Sequence, residues 1–472
     1  VSRTPDEPPA ATTRVPAMAD TLDPRNVRAV FKAYDVRGLV PDEVDEALAQ
    51  ATGAAFVRVT GATTVVVGHD MRPSSPGMAG AFAEGASSQG ADVVMIGLAS
   101  TDQLYFASGH LGHPGAMFTA SHNPAQYNGI KMCRSHAQPI GMETGLADIR
   151  DLVAGGLGPS TRVPGDISTY DVLEAYAAHL LELAPVRGRR LKVVVDAGNG
   201  MAGHTAPAVF ERLGPDVELV PMYFELDGTF PNHEANPIEP ANLRDLQARV
   251  VAEGADIGLA FDGDADRCFL VDERGGLVSP STLTALIATR ELAKEPGATV
   301  IHNLITSRAV PEIVTELGGR PVRTRVGHSF IKATMAETGA IFGGEHSGHF
   351  YFRDFWRADS GMLAALHMLA ALAETSLPLS GLLAEFERYV LSGEINSEVA
   401  DPAAVIDDLE SEYAGRDGVT TDRLDGLTVS HPDWTFNVRP SNTEPLLRLN
   451  AEGRDEETMV RVRDDVLARI KE

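Results

Sequence analysis

Short apolar runs alternate with longer segments of helical composition over most of the chain. TTVVVGHD (63–70), ADVVMIGL (91–98), LKVVVDAGNG (191–200) and ATVIHNL (298–304) each predict a buried strand. An Ala-rich helical segment separates the first two runs, so the pattern predicts βαβ units with parallel strands. Because such runs recur about once per hundred residues, we predict three similarly built α/β domains rather than one large sheet.

The last part of the chain has a different pattern. Residues 425–453 alternate between apolar and polar side chains, as antiparallel strands with one solvated face do. Residues 455–472 predict an amphipathic helix, with apolar positions at Met459, Val460, Val462, Val466, Leu467 and Ile470. We therefore predict that a smaller α+β domain closes the chain.

A chain of 472 residues is too long for one hydrophobic core, so we divide it where the pattern changes. The first 18 residues contain four prolines and little bulk, and we interpret them as a disordered leader or as an extension upstream of a true start at Met18. The predicted domains are three mixed-sheet α/β domains at 19–165, 166–272 and 273–383 and an α+β domain at 384–472, arranged around a central cleft.

Composition narrows the class of protein. The formal net charge of -26 argues against a nucleic-acid partner, which needs a basic face. The longest apolar stretch, 362–373, is interrupted by His367 and is too short to span a bilayer, and the chain does not open with a signal-peptide pattern. Cys133 and Cys268 form neither a metal-type pair nor a disulfide framework. We therefore predict a cytoplasmic protein without a membrane partner.

Four stretches carry candidate chemistry, and the first is MFTASHNP (117–124). It places Ser121 between small and turn-forming residues. A strand that ends in a surface turn would give the same sequence, because Asn hydrogen-bonds its own backbone and Pro presets φ. From these eight residues alone the surface turn is the simpler interpretation.

In the second stretch, IGLAFDGDADR (257–267), an apolar strand ends in three aspartates. Residues i, i+2 and i+4 of an extended backbone share a face, so Asp262, Asp264 and Asp266 can point into one small volume. Carboxylates at such distances repel one another unless a cation lies among them, and oxygen ligands suit a hard ion such as Mg²⁺. The alternatives are a solvated acidic loop and a calcium loop, but the twelfth position, Glu273, lies in a predicted hairpin turn.

The third stretch is GGEHSGHFYF (343–352), in which Glu345, Ser347 and His349 alternate after two glycines. Polar side chains that alternate on a strand facing a cleft can hydrogen-bond adjacent hydroxyls of a sugar ring. A solvent-facing edge strand gives the same pattern, and the spacing does not separate the two interpretations.

The fourth stretch is RPSNTEP (439–445), a turn framed by two prolines. It combines Arg439 with Ser441, Asn442 and Thr443. A guanidinium, hydroxyls and the N–H groups of a turn together suit a phosphate dianion. An ordinary surface turn is the alternative.

In order and character, these stretches resemble the motifs of the α-D-phosphohexomutase family, most closely its bacterial phosphomannomutase/phosphoglucomutase branch. FKAYDVRG (31–38) precedes them and belongs to the same resemblance, which runs from residue 28 to the C-terminus. Several motifs in one order are far more specific than any one of them.

The resemblance implies a role for each motif. Ser121 would carry a phosphoryl group, and its phosphate oxygen would complete a Mg²⁺ site with the three aspartates. Arg37 and Lys131 would lie beside the phosphoserine and assist proton transfer, and His349 would lie near the reacting end. Substrate contacts would come from Arg267 after the metal loop, from Gly327 and His328 of VGHSFIK, from Glu345 and Ser347 at the ring hydroxyls, and from Arg439, Ser441, Asn442 and Thr443 at the distal phosphate.

The implied reaction is a reversible two-step transfer. Phospho-Ser121 would give its phosphate to a hexose 1-phosphate, and the resulting hexose 1,6-bisphosphate would turn over, return the other phosphate and leave as the 6-phosphate. The cofactors would be one Mg²⁺ per active site and the bisphosphate as activator. The partner would be a small phosphosugar, and the chain would be a monomer or a weak homodimer.

The sugar and the function class leave alternatives. Asn442 and His346 favour the mannose/glucose branch over phosphoglucosamine mutases, and a Glu-Ser pair can satisfy either C2 epimer, so we predict dual specificity. Ala265 replaces a glycine that is common in the family, a small change that should not alter ligation. A Mg²⁺-dependent sugar phosphatase would need no separate serine loop, and a phosphosugar-binding regulatory protein would lose Ser121 or the aspartates.

Overall fold

The computed structural model describes residues 23–158, 160–440 and 446–471. Four sheets follow one another along these residues. The predicted leader, 1–18, lies outside the described residues. Among the described helices, none combines the length and the apolar character that a membrane crossing requires.

The first sheet has the order β1-β5-β4-β2-β3-β7, with β6 paired to β5. Its strands are β1 (Asp35–Leu39), β2 (Thr64–His69), β3 (Asp92–Leu98), β4 (Gly115–Phe118), β5 (Tyr127–Arg134), β6 (Gln138–Pro139) and β7 (Ile167–Thr169), and its helices are α1 (Pro24–Val30), α2 (Glu46–Thr60), α3 (Ser75–Ser88), α4 (Thr101–Leu111) and α5 (Leu146–Gly155). Strands β2, β3, β4 and β7 run parallel, and β5 runs antiparallel to β1 and β4. Ser100 caps α4 through its side chain, and Gly112 ends that helix at a φ of 75°.

The second sheet has the order β12-β11-β10-β8-β9. Its elements are α6 (Leu173–Leu183), β8 (Leu191–Asp196), α7 (Ala202–Leu213), β9 (Val217–Met222), α8 (Arg244–Glu253), β10 (Ile257–Phe261), β11 (Cys268–Asp272) and β12 (Leu277–Val278). Strand β8 pairs in parallel with β9 and β10, whereas β10, β11 and β12 are antiparallel. Strands β7 and β12 lie a few residues beyond the domain boundaries expected at 165 and 272.

The third sheet repeats this plan with the order β14-β13-β15-β16-β17. Its elements are α9 (Pro280–Lys294), β13 (Thr299–Asn303), α10 (Ala309–Glu316), β14 (Arg320–Thr324), α11 (His328–Thr338), β15 (Phe342–Gly344), β16 (Phe350–Phe352), β17 (Ala358–Asp359), α12 (Gly361–Ala373) and α13 (Leu379–Leu383). Helix α12 contains the longest apolar stretch of the sequence and is buried almost throughout. Its side chains lie in one hydrophobic cluster with side chains of the first and second sheets, so the three α/β units share a continuous core.

The fourth sheet is antiparallel, with the order β18-β22-β21-β20-β19. Its elements are β18 (Val390–Glu398), α14 (Pro402–Tyr413), β19 (Thr420–Asp422), β20 (Leu427–His431), β21 (Trp434–Pro440), β22 (Leu446–Gly453) and α15 (Glu456–Ile470). Helix α15 buries Met459, Val462, Val466 and Ile470 of its predicted apolar face. This unit has a hydrophobic cluster of its own. The predicted succession of three α/β units and an α+β unit is therefore confirmed.

Candidate active site

Ser121 lies in the turn that follows β4, and its side chain is directed at the aspartate loop. The Ser121 backbone has a φ of 51°, a left-handed conformation that is uncommon for a residue with a Cβ. Its N–H donates to Thr119 Oγ1 at 2.9 Å, and its hydroxyl donates to Asp262 Oδ2 at 2.8 Å. The turn therefore presents a buried serine hydroxyl to a carboxylate of another domain.

Arg72 organises the serine turn, and the sequence analysis did not identify it. This side chain is 1% exposed and is paired with Asp70. Its guanidinium donates to four carbonyl oxygens of the turn, at Ser121, Asn123, Pro124 and Tyr127, over 2.7 to 3.1 Å. The sequence signal that could have identified Arg72 is its position two residues after Asp70, directly after β2. A buried arginine needs several hydrogen-bond acceptors, and Asp70 supplies one of them.

The three aspartates cluster, but the backbone that clusters them is not extended. Residues 262–266 form a turn after β10, and Ala265 has a φ of 59°. The expectation of an extended strand was therefore wrong, although carboxylate oxygens of all three aspartates lie within 4.8 Å of one another. Gly263 permits the close approach of this turn to the serine turn, because a Cβ there would lie 2.4 Å from the Ser121 carbonyl oxygen.

Two basic side chains neutralise part of the aspartate charge. Lys131 Nζ lies 2.7 Å from Asp264 Oδ2 and 2.6 Å from Asp266 Oδ2. The Arg267 guanidinium pairs with Asp262, so the structure directs this side chain to a carboxylate of the cluster. Burial, helped by the neighbouring carboxylates and opposed by Arg267, raises the pKa of Asp262 to about 7. Burial would also raise the pKa of Asp264, but the Lys131 ammonium outweighs it and holds that pKa below its usual value.

The cluster has the features of a cation site. Asp264 Oδ1 and Asp266 Oδ1 are buried and have no hydrogen-bond partner among the described residues. Buried carboxylate oxygens without a donor are costly unless a cation satisfies them. Oxygen-only donors at these distances fit a hard divalent ion, so the residues present fit the predicted metal.

His349 connects the aspartate cluster to the third sheet. Its Nε2 lies 3.5 Å from Asp266 Oδ1 and 3.9 Å from Asp359 Oδ2, and its Nδ1 lies 3.1 Å from Ser347 Oγ. Asp359 is in turn paired with the buried Lys332 at 2.7 Å. The sequence analysis missed Asp359 and Lys332, because nothing in their local sequence shows that they meet His349.

Glu345 lies in a turn between β15 and β16, not on the alternating strand that the sequence suggested. The turn requires Gly348, whose φ is 88°. Glu345 is 2% exposed, and its Oε1 accepts from Gly327 N at 3.1 Å and from Asn303 Nδ2 at 3.2 Å. Its Oε2 accepts from the Tyr351 hydroxyl at 2.7 Å. An ionised carboxylate accepts about four hydrogen bonds, and the described residues donate three to Glu345.

Two of the predicted site residues, Arg37 and Arg439, lie in different domains. Arg37 donates to Asn123 Oδ1 at 2.6 Å and therefore contacts the serine turn. Arg439 belongs to the fourth sheet, where its guanidinium lies 3.0 Å from Glu394 Oε2. The predicted phosphate contacts Ser441, Asn442 and Thr443 lie outside the described residues, as does the side chain of His328.

The structure thus joins the predicted residues into three groups. The first contains Ser121, Arg37, Lys131, the three aspartates, Arg267 and His349 with Ser347. The second contains Glu345 and Gly327, and the third is Arg439 with its neighbours in the fourth sheet.

The chain matches four domain families over most of its length. These are the phosphoglucomutase/phosphomannomutase alpha/beta/alpha domains I, II and III at residues 28–156, 174–276 and 279–389, and the phosphoglucomutase/phosphomannomutase C-terminal domain at residues 394–469.

Whole proteins give the same result. A phosphomannomutase of Salmonella montevideo is 41% identical over 441 residues, which cover 92% of this chain and 96% of that protein. A crystal structure of a phosphoglucomutase/phosphomannomutase family protein from Burkholderia thailandensis superposes with a TM-score of 0.86 at 35% identity, over 94% of this chain and 97% of that one. The N-acetylphosphoglucosamine mutase of Aspergillus fumigatus, solved with GlcNAc-6P and magnesium, shares the fold at a TM-score of 0.60 and 14% identity, over 97% and 99% of the two chains.

Proposed function

This chain belongs to the phosphoglucomutase/phosphomannomutase family, and from that premise we propose that it interconverts hexose 1-phosphates and hexose 6-phosphates through a phosphoserine at Ser121. The observation that carries this proposal is the 2.8 Å hydrogen bond from the Ser121 hydroxyl to Asp262, within a cluster of carboxylates that fits a divalent cation. Phosphoryl transfer needs positioning and charge neutralisation more than further covalent chemistry, and this cluster supplies both.

Each residue of the cluster has a definite task in this reaction. Ser121 Oγ carries the phosphoryl group, and Arg72 fixes the turn that aims it. Lys131 and Arg267 supply positive charge next to the transferred group, and Arg37 and Lys131 assist proton transfer. Mg²⁺, held by Asp262, Asp264, Asp266 and an oxygen on Ser121, would neutralise negative charge on the phosphoryl oxygens.

The hexose would lie between the first and third groups. The bond from Ser121 Oγ to phosphorus breaks as a hydroxyl of the hexose phosphate takes the phosphoryl group, and the proton that this hydroxyl loses ends on Ser121 Oγ, with Arg37, Lys131 and His349 assisting. In the second step the other phosphate returns to Ser121 by the reverse exchange. Glu345 and Ser347 would accept ring hydroxyls, and Gly327 and His328 would contact the ring. Arg439, with Ser441, Asn442 and Thr443, would hold the phosphate that does not react.

We propose glucose and mannose phosphates as substrates and the hexose 1,6-bisphosphate as activator. Dual specificity is supported by Glu345, which accepts three hydrogen bonds from the described residues where a carboxylate accepts about four, so that a hydroxyl of either C2 epimer can donate to it. Glucosamine phosphate is the second candidate within the same reaction. The domain boundaries, a monomer or weak dimer, and a cytoplasmic location stay predictions; two buried cysteines without a disulfide support the last of these.

One assay tests the proposed function. Mannose 1-phosphate, glucose 1-phosphate and glucosamine 1-phosphate are each incubated with the protein, Mg²⁺ and a trace of hexose 1,6-bisphosphate, and the 6-phosphates are measured. We expect conversion of the first two. Release of inorganic phosphate without a 6-phosphate product would instead indicate the phosphatase, and binding without turnover would indicate the regulatory protein.

A further inference from the structure

Asp425 and Gly426 lie between two groups that the proposed function brings to one substrate. On one side is Arg439, the predicted phosphate residue of the fourth sheet. On the other side is the backbone at Val326 and Gly327 in the third domain, which contacts the predicted sugar residue Glu345.

Within the fourth domain, the backbone at Asp425 and Gly426 packs tightly against the strand that carries Arg439. Gly426 has a φ of 67°, and a Cβ there would lie 2.6 Å from Arg439 Cα and 2.3 Å from the Val438 carbonyl oxygen. The side chain of Asn437, which is 2% exposed, donates to the Asp425 carbonyl oxygen at 3.1 Å. The backbone at Asp425 and Gly426 therefore cannot shift without disturbing the strand that carries Arg439.

Leu424 and Asp425 also form hydrogen bonds with the third domain. Asp425 Oδ2 accepts a hydrogen bond from Val326 N at 3.2 Å, and the next residue, Gly327, donates from its N–H to Glu345 Oε1 at 3.1 Å. Arg325 Nε also donates to the Leu424 carbonyl oxygen at 3.1 Å. A continuous series of contacts thus runs from Arg439 through Asp425 and Gly327 to Glu345.

We propose that Asp425 is a positioning residue. It couples phosphate binding at Arg439 to the ordering of the backbone at Val326 and Gly327, which contacts the sugar-binding residue Glu345. This inference rests on the proposed function. A phosphate that stabilises the strand of Arg439 would, through Asp425, restrict the Val326 and Gly327 amides, and a sugar bound at Glu345 would stabilise the phosphate side by the same amount. Substrate that carries both groups would therefore bind more tightly than the two separate sites allow.

Hydrogen exchange at the Val326 and Gly327 amides reports this coupling directly. The wild type, Asp425→Ala, Arg439→Ala and the control Asp433→Ala are compared with and without saturating glucose 6-phosphate. Asp433 pairs with Arg454 inside the fourth domain and is not part of the contacts that link Arg439 to Glu345. We expect the ligand to protect these amides in the wild type and the control, and to protect them much less in Asp425→Ala and Arg439→Ala. Equal protection in Asp425→Ala and the wild type would overturn the inference.

A double-mutant cycle separates coupling from simple destabilisation. Asp425→Ala should lower kcat/KM about tenfold, and the double variant Asp425→Ala/Arg439→Ala should be no worse than Arg439→Ala alone, because Asp425 acts through Arg439. Asp425→Asn keeps an acceptor oxygen and should recover part of the loss. Effects that multiply in the double variant would overturn the inference, as would an Asp425→Ala enzyme with wild-type kinetics. Absence of mutase activity in the wild type would instead remove the proposed function, and the inference with it.

Discussion

The Ser121 hydroxyl and the Asp262 carboxylate meet at 2.8 Å although 141 residues separate them in the chain. Asp262 is fully buried and is also paired with Arg267. A serine that only ended a strand in a surface turn would need no such partner. This contact unites the serine turn of the first domain with the carboxylate cluster of the second.

Ser121→Ala should lower turnover by at least about a hundredfold, because a positioned nucleophile commonly supplies that much. Mutase activity is measured with glucose 1-phosphate, and the matched control is Ser411→Ala on the exposed face of α14. Intact-mass analysis should show part of the wild-type protein one phosphate heavier, and the Ser121→Ala protein without that species. Activity near the wild-type level would exclude Ser121 as the phosphoryl carrier.

Asp264→Asn should abolish Mg²⁺-dependent activity without unfolding the protein. The amide removes a negative charge from the cation site but leaves no cavity. The measurements are activity against Mg²⁺ concentration and thermal unfolding, with the exposed Asp464→Asn as control. An unchanged Mg²⁺ requirement would contradict the assignment of Asp264 as a ligand.

Arg72→Lys should lower kcat about tenfold or more even though it conserves the charge. Lysine has three donors on one nitrogen and cannot serve four carbonyl oxygens and Asp70 together, and each buried acceptor left unpaired costs about 1–3 kcal/mol. Hydrogen exchange over 121–127 should become faster. The exposed Arg212→Lys serves as control, and a kcat within a factor of two of the wild type would contradict this role.

Asp102 should make stability depend on pH in an unusual direction. It is fully buried, accepts from the Tyr176 hydroxyl at 2.7 Å and from the Ser360 hydroxyl at 2.6 Å, and so joins three domains. Burial raises the pKa of Asp102 from 3.8 to about 6. The folded protein therefore holds this proton more tightly than the unfolded chain, and stability from Asp102 is lost as the pH rises from about 4 to about 6.

Asp102→Asn removes this titration because the amide stays neutral. The difference in Tm, variant minus wild type, should increase between pH 4 and pH 6 and then stay constant, since the change in pKa from 3.8 to about 6 corresponds to about 3 kcal/mol. Thermal unfolding at fixed Mg²⁺ measures it. A difference in Tm that is the same at both pH values would show that the folded-state pKa of Asp102 is not raised.

The sequence predicted the elements well where one local pattern determines them. The apolar runs at 63–70 and 191–200 contain the buried strands β2 and β8, and the apolar spacing near the C-terminus predicted α15 (Glu456–Ile470). The aspartates also cluster as predicted, although the left-handed turn at Ala265, rather than an extended strand, brings them together. Local sequence could not show how closely this turn approaches the serine turn, because the contact of Gly263 with the backbone of Ser121 is a tertiary one.

Residues that act through long-range contacts were beyond the sequence patterns. In the sequence, Arg72 is only one of several charged residues near a turn. Its role is shown by the hydrogen bonds that its guanidinium donates to carbonyl oxygens of the serine turn. Lys332 and Asp359 form a buried pair beside His349 from two separate elements. Their roles depend on tertiary packing, which no periodicity in the sequence encodes.

Arg439 lies in a domain with its own hydrophobic cluster, yet it should act on a reaction centred on Ser121. Arg439→Ala should therefore raise KM and also lower kcat, because binding energy from a remote phosphate orients the reacting end. The exposed Arg454→Ala, which loses surface ion pairs with Asp433 and Asp455, is the control.

Hydrogen exchange tests the same role of Arg439 without catalysis. A bound phosphosugar should protect the segment from residue 385 onward in the wild type, most clearly around 439–445, and this protection should be lost in Arg439→Ala. A rise in KM with unchanged kcat would mean that Arg439 contributes equally to substrate and transition-state binding. The role of Arg439 would be contradicted if Arg439→Ala had wild-type kinetics and if the ligand did not change hydrogen exchange in the fourth domain. The fourth domain would then have only a structural role, and another part of the protein would hold the distal phosphate.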